Sequence, residues 1–231
     1  MNRARIAAVF TPYVLVGIVH LVALVAEATQ LSTFTKPLLM PLLLAGLLFA
    51  LPGWRSEIAL LGSFGILFSF LGDTSLMYSG DLGFLLGLGF FLLAHVAYLG
   101  LFLRKLRMRR LPAWAAIYGV WWLVLVAVLA PHTGVLLVPV AVYGLVLGAM
   151  GAFALSCNRL VAVGGALFVV SDTLLGLNKF LPGFELWQAD FLIMLSYIAA
   201  QGLIALGAVR WAWEKGRAAP SPTRVTSPEA A

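Results

Sequence analysis

Residues 84–103 read FLLGLGFFLLAHVAYLGLFL, and residues 104–110 read RKLRMRR. The first stretch is 20 residues long and holds no Asp, Glu, Lys or Arg, its polar side chains being His95 and Tyr98. About 20 consecutive apolar residues are needed for a helix to cross the hydrocarbon core of a bilayer. The second stretch holds five basic residues in seven. An apolar run that stops on a basic cluster is the pattern of a membrane span ending on its cytoplasmic side.

The whole chain has this character. Of 231 residues, 62% are hydrophobic and only 10% are charged. A soluble domain averages about 45–50% apolar and about 25% charged residues, so so few charges cannot cover a water-facing surface. A soluble monomer, a disordered chain and a disulfide scaffold are all disfavoured, and the continuous apolar runs disfavour a β-barrel. The expected fold is all-α: a polytopic bundle of eight transmembrane helices over residues 1–213. Its spans are about 6–26, 37–52, 58–77, 84–103, 113–130, 134–155, 160–177 and 189–210. Pro37 is expected in the first turn of the second span, and Pro131-His132-Thr133 as the turn between the fifth and sixth. The first span is longer than the apolar core of a usual signal peptide. Residues 214–231 are polar and proline-rich and are expected to be a disordered cytoplasmic tail.

With eight spans both termini share one side. That side then holds 13 of the 15 basic residues, and only Lys36 and Lys179 fall on the other. Both termini are therefore expected in the cytoplasm of a bacterial-type plasma membrane. The net charge of +6 is a topology signal, and no nucleic-acid partner is expected. Trp54, Trp114, Trp187, Trp211 and Trp213 fall near the expected interfaces, where aromatic belts sit. Nothing in the sequence sets an oligomeric state.

Ionisable groups inside a bilayer are costly and mark function by default. Asp73 and Asp172 lie inside spans three and seven, about four and five residues from the expected outer ends. Their surroundings are alike. Gly65-Ile66-Leu67-Phe68 precedes Asp73-Thr74-Ser75-Leu76, and Gly165-Ala166-Leu167-Phe168 precedes Asp172-Thr173-Leu174-Leu175. The segments stand four spans apart and run the same way, as in a tandem repeat of two four-helix halves. Other polar groups gather at compatible depths. Glu27 ends span one, Lys36 precedes span two, and Asn178 and Lys179 follow span seven. His20 lies below the outer end of span one, with Ser171 beside Asp172. His95 and Tyr98, and Tyr197 and Gln201, form pairs on shared helix faces nearer the midplane.

Two carboxylates in a partly dry cavity suit acid–base chemistry, because burial and mutual repulsion let one hold a proton while the other stays ionised. Lys36 could hold a phosphate. No Gly-x-Ser-x-Gly elbow and no His-x-x-x-His pair is present, so no serine hydrolase, metal or cofactor is assigned. Cys157 is alone and carries no expected role. The same aspartates would also suit a proton-coupled transporter or a lipid-binding membrane protein.

The segments Thr35-Lys36-Pro37-Leu38-Leu39-Met40-Pro41, Phe68 to Met77, Ala94-His95-Val96-Ala97-Tyr98 and Ser171-Asp172-Thr173-Leu174-Leu175 resemble the YhhN/TMEM86 family in order and spacing. The resemblance covers residues ~10–210. It implies a lysoplasmalogenase-like hydrolase of ether lysolipids, which cleaves a vinyl ether bond to a fatty aldehyde and a glycerophospho-base. On that reading Asp73 and Asp172 are catalytic. Lys36, Glu27, His95, Tyr98, Asn178, Tyr197 and Gln201 bind substrate or line the cavity, with His20 and Ser171 in support. The partners are a lysophospholipid and the surrounding membrane lipid.

The charge asymmetry can be checked directly. A fluorescent protein fused to either terminus should fold and fluoresce, and a periplasm-dependent reporter there should stay silent. The opposite result at either end would overturn the orientation.

Overall fold

The computed structural model describes residues 3–218, and they form helices and turns only. The helices are α1 (Arg3–Val25), α2 (Thr29–Ala50), α3 (Glu57–Leu76), α4 (Asp81–Leu101), α5 (Ile117–Thr133), α6 (Leu137–Ala154), α7 (Arg159–Phe180) and α8 (Ala189–Ala218). A helix pairs every backbone N–H and C=O within itself, which is what hydrocarbon demands of a spanning segment. Among the described residues, seven stretches are long and apolar enough to cross a membrane.

One of the seven is residues 113–154, 42 residues in length. It is not straight. A single 3-10 turn at Gly134–Leu136 separates α5 from α6, and Gly134 has φ +53°, a conformation that favours glycine. The Trp122 indole N–H donates to the Ala141 carbonyl at 2.8 Å. In a straight helix those residues would stand about 28 Å apart, so α6 folds back against α5.

Several boundaries differ from the sequence expectation. α2 begins at Thr29, eight residues before Pro37, and both Pro37 and Pro41 lie inside it. Lys36 is therefore a helical residue. Proline removes one N–H but does not by itself stop a helix. Here Thr35 and Ser32 hydroxyls donate to the Leu31 and Thr29 carbonyls, at 2.8 and 3.0 Å, and tie the first turns together. Pro131, His132 and Thr133 lie in the last turn of α5, and the reversal falls one residue later, at Gly134. α7 runs on to Phe180, so Asn178 and Lys179 belong to its last turn, where a cation suits the helix dipole. α8 continues to Ala218, and the expected tail from residue 219 onward lies outside the described residues.

Small residues let the helices approach closely, as is usual where apolar lipid gives no hydrophobic drive to association. Gly62, Gly65 and Gly72 on α3 face Leu47, Tyr98 and Phe91. Gly164 on α7 faces the α8 backbone at Ala200 and Ile204. Ser56 and Asn158 cap α3 and α7, each accepting from N–H groups of the first turn. At the basic end, Arg104 and Lys105 both pair with Glu57, the latter at 2.5 Å, which pins the 104–110 loop to the start of α3. Arg109 reaches the Leu155 carbonyl at 2.8 Å and closes the same end against the α6–α7 turn.

A Cβ at Gly72 would lie 2.6 Å from the Phe91 ring, whereas Gly89 has open space around it. Gly72→Ala should lower the melting temperature of the detergent-solubilised protein, at a cost of about 1–3 kcal/mol. Gly89→Ala should leave it unchanged or raise it slightly. Equal shifts for the two would contradict the packing described.

Candidate functional site

A cavity of about 610 Å³ opens between the helices, and Asp73 from α3 and Asp172 from α7 both line it. Lys36, His20, Ser171, Asn178 and Tyr197 share its wall. Residues outside the expected site line it too, among them Lys179, Asp190 and Phe91. Asp73 is three residues from the end of α3 and Asp172 eight from the end of α7, against the four and five expected, because α7 runs on to Phe180.

Each aspartate is held by a tyrosine. The Tyr197 hydroxyl donates to Asp73 Oδ2 at 2.7 Å. The Tyr143 hydroxyl donates to Asp172 Oδ2. Asp73 is 4% exposed, and an unpaired carboxylate at such a place would be strongly disfavoured. Behind Tyr197 the chain of bonds continues. Gln201 Nε2 approaches the Tyr197 hydroxyl at 3.4 Å and donates to Ser69 Oγ at 2.8 Å. Tyr98 donates to Gln201 Oε1 at 2.5 Å. The network joins α3, α4 and α8, and its last hydroxyl points at Asp73.

The Asp172 side is built differently. His95 Nε2 stands 3.4 Å from Asp172 Oδ2, and the other ring nitrogen of His95 bonds the Phe91 carbonyl. A backbone carbonyl only accepts, so Nδ1 carries a hydrogen. Phe168 packs edge-on against both sides, with ring centroids 4.7 Å from His95 and 5.5 Å from Tyr197. It fixes both rings and excludes water between them.

Not every expected residue reaches the cavity. His95, Tyr98 and Gln201 are buried behind its wall and reach it through Asp172 and Tyr197. Glu27 lines a second, adjoining cavity of about 600 Å³ with Gln188 and Asp190. The two cavities share Ser32, Asn178 and Asp190 in their walls. His20 donates from Nδ1 to Thr35 Oγ1 at 2.9 Å. Ser171 donates to the Ile193 carbonyl at 3.0 Å and ties α7 to α8 beside the site. Tyr143 was missed: it stands in an unbroken apolar span, and only its distance from Asp172 marks it. Lys179 stood in the outer polar cluster by depth without a role, and Asp190 showed only as a charge at the start of α8. Among the described residues no group of three His, Cys, Asp or Glu is placed to hold a metal ion.

The fold and this chamber define an all-helical, multi-pass membrane protein with a carboxylate-bearing polar cavity among apolar helices. The chain belongs to the YhhN family, whose model matches residues 31–208. It is 34% identical over 158 residues to a protein of Bos taurus named lysoplasmalogenase TMEM86A, and 32% identical over 157 residues to the protein of that name from Homo sapiens. Each match covers 63% of this chain and 63% of the relative, so the chain spans less than two thirds of these curated relatives. No solved structure matches it.

Cys157 lies buried in the α6–α7 turn, on the side of the basic loop. Burial pushes its thiol up to about 12. It should stay protonated and unreactive at neutral pH. Mass spectrometry should find no iodoacetamide adduct on the folded protein and one after denaturation. Rapid labelling of the folded form would contradict its burial.

Proposed function

We propose that the chain is a membrane-embedded hydrolase of ether lysolipids, which cleaves a vinyl ether bond to release a fatty aldehyde and a glycerophospho-base. The observation that carries this reading is the placement of two aspartates and a lysine in one cavity inside an apolar bundle. The name lysoplasmalogenase borne by the TMEM86A relatives supports it. Lys36, with Lys179 at the end of α7, offers positive charge to a head-group phosphate.

The geometry favours Asp172 as the acid. His95 Nε2 faces Asp172 Oδ2 at 3.4 Å without a formed hydrogen bond, and with a hydrogen already on Nδ1 two lone pairs meet there unless one further proton lies between them. Asp172 is the member of that pair that reaches the cavity. Both aspartates accept from a tyrosine, so the imidazole beside Asp172 is what sets the two apart, and Asp73 is left as the carboxylate. Asp172 gives its proton to the alkene carbon, and an oxocarbenium ion forms. Asp73 stabilises the cation and takes a proton from the water that adds to it. The hemiacetal then collapses. Its hydroxyl proton goes to Asp172, the departing glycerol oxygen takes the proton held by Asp73, and both carboxyls return to their starting states.

This reading includes eight membrane crossings, with 113–154 crossing twice, and both termini in the cytoplasm. The reversal at Gly134 supports the count. Helix pairing supports two tandem halves. α1 with α2, α2 with α3 and α3 with α4 recur as α5 with α6, α6 with α7 and α7 with α8, and α4 with α6 recurs as α8 with α2. The same repeat would fit a proton-coupled transporter, which the decisive experiment separates.

Purified protein should release aldehyde from a 1-alkenyl lysophospholipid. Asp73→Asn and Asp172→Asn should each lower kcat by about 10²–10⁴-fold. Lys36→Ala should mainly raise KM. Undiminished release by either aspartate variant would overturn the scheme. No release, together with pH-driven lipid uptake into vesicles, would establish transport instead.

A further inference from the structure

One histidine that lines the cavity has a buried ring nitrogen with no partner. The His20 ring is 1% exposed and lines the main cavity. Its Nδ1 is tied to Thr35 Oγ1 at 2.9 Å, while Nε2 makes no hydrogen bond among the described residues. A buried polar atom left unpaired is costly, and in a cavity wall it marks a place where a ligand completes the bond.

The partner of Thr35 settles what Nε2 offers. The Thr35 hydroxyl spends its hydrogen on the Leu31 carbonyl at 2.8 Å, with the Ser32 carbonyl at 3.2 Å. Its oxygen is then left to accept, so His20 Nδ1 donates and carries the hydrogen. In the neutral ring Nε2 is a bare acceptor, and what it lacks is a donor. The unpaired atom thus calls for an O–H or N–H group and rejects another lone pair.

We infer that His20 Nε2 accepts a hydrogen bond from the free central hydroxyl of the glycerol unit, and so makes His20 the residue that selects a lyso substrate. The inference rests on the hydrolase reading above and deepens it. Lys36 follows Thr35 directly on α2 and lines the same cavity, so the acceptor and the candidate phosphate-binding charge come from adjoining positions. In a glycerophospholipid the hydroxyl-bearing carbon lies between the phosphate-bearing and the ether-bearing carbons. Lys36, His20 and the aspartate pair would then read three consecutive carbons in order. When the central position is acylated, its ester oxygens bring lone pairs and no hydrogen to Nε2, and the site is left unpaired. Sites built to bond a hydroxyl discriminate strongly against analogues without it.

The test compares a 1-alkenyl lysophospholipid with its 2-deoxy and 2-O-methyl counterparts, all on the full chain. For the wild type, kcat/KM should favour the free hydroxyl by about 10–100-fold. In His20→Leu that ratio should collapse toward one. Thr35→Val, which removes the acceptor that orients the ring, should also shrink it, so the inference remains testable if His20→Leu fails to fold. Equal rates in the wild type, or a ratio that survives His20→Leu, would overturn the role of His20 while leaving the hydrolase intact. A second arm measures binding of the uncleavable 1-alkyl lysophospholipid and its 2-deoxy form to the same variants. A hydroxyl preference in binding that depends on His20, without any aldehyde release, would uphold the inference and overturn the hydrolase. Binding with no such preference would overturn the inference by itself.

Discussion

A polar group inside hydrocarbon must find its partner within the protein, and in this chain that demand organises the centre of the bundle. The run from Tyr98 through Gln201 and Tyr197 to Asp73 is buried throughout and crosses three helices. Removing one member would leave the next unpaired in a medium with no water to replace it. The network therefore does two things at once. It locks α3, α4 and α8 together, and it delivers a hydroxyl to Asp73 in a fixed orientation. The glycines of α3 serve the same end, because Tyr98 and Phe91 can lie against that helix only where there is no Cβ.

The two aspartates look equivalent in the sequence and are not equivalent in space. Asp73 is backed by an amide and hydroxyl network that ends on the Tyr197 hydroxyl and is anchored to α3 at Ser69. Asp172 is backed by an imidazole and a second tyrosine. Phe168, in van der Waals reach of both sides, keeps the two sets of partners apart. Different surroundings for similar carboxyls are how acid and base roles are divided within one site. Each carboxylate takes one partner from the other half of the chain, Tyr197 of α8 for Asp73 of α3 and His95 of α4 for Asp172 of α7, while Tyr143 of α6 serves Asp172 from its own half. A tandem arrangement with each half completing the other's carboxylate would account for that exchange.

The helical, membrane-spanning character was legible from the sequence because the bilayer imposes a length and a polarity on each segment. The aspartates were legible for the same reason, since charge in such a run is conspicuous. What failed was local or long-range. The start of α2 was misplaced because proline reads as a boundary, while the hydroxyls of Ser32 and Thr35 hold the preceding turns helical. The reversal was placed at Pro131 rather than at Gly134, whose positive φ makes the turn. Tyr143 was invisible because a tyrosine in an apolar span looks like packing until another helix brings Asp172 to it. Glu27 was placed in the site by depth alone, and it lines the neighbouring chamber.

The central claim is that Asp172 and Asp73 divide acid and base work within one cavity. The dependence of kcat/KM on pH tests it most directly, read on the wild type and on the residual activity of Asp73→Asn and Asp172→Asn. A bell-shaped profile is expected for the wild type. Asp73→Asn should lose the acidic limb, where the base must be ionised, and Asp172→Asn the alkaline limb, where the acid must be protonated. A bell that keeps both limbs in both variants would contradict the account.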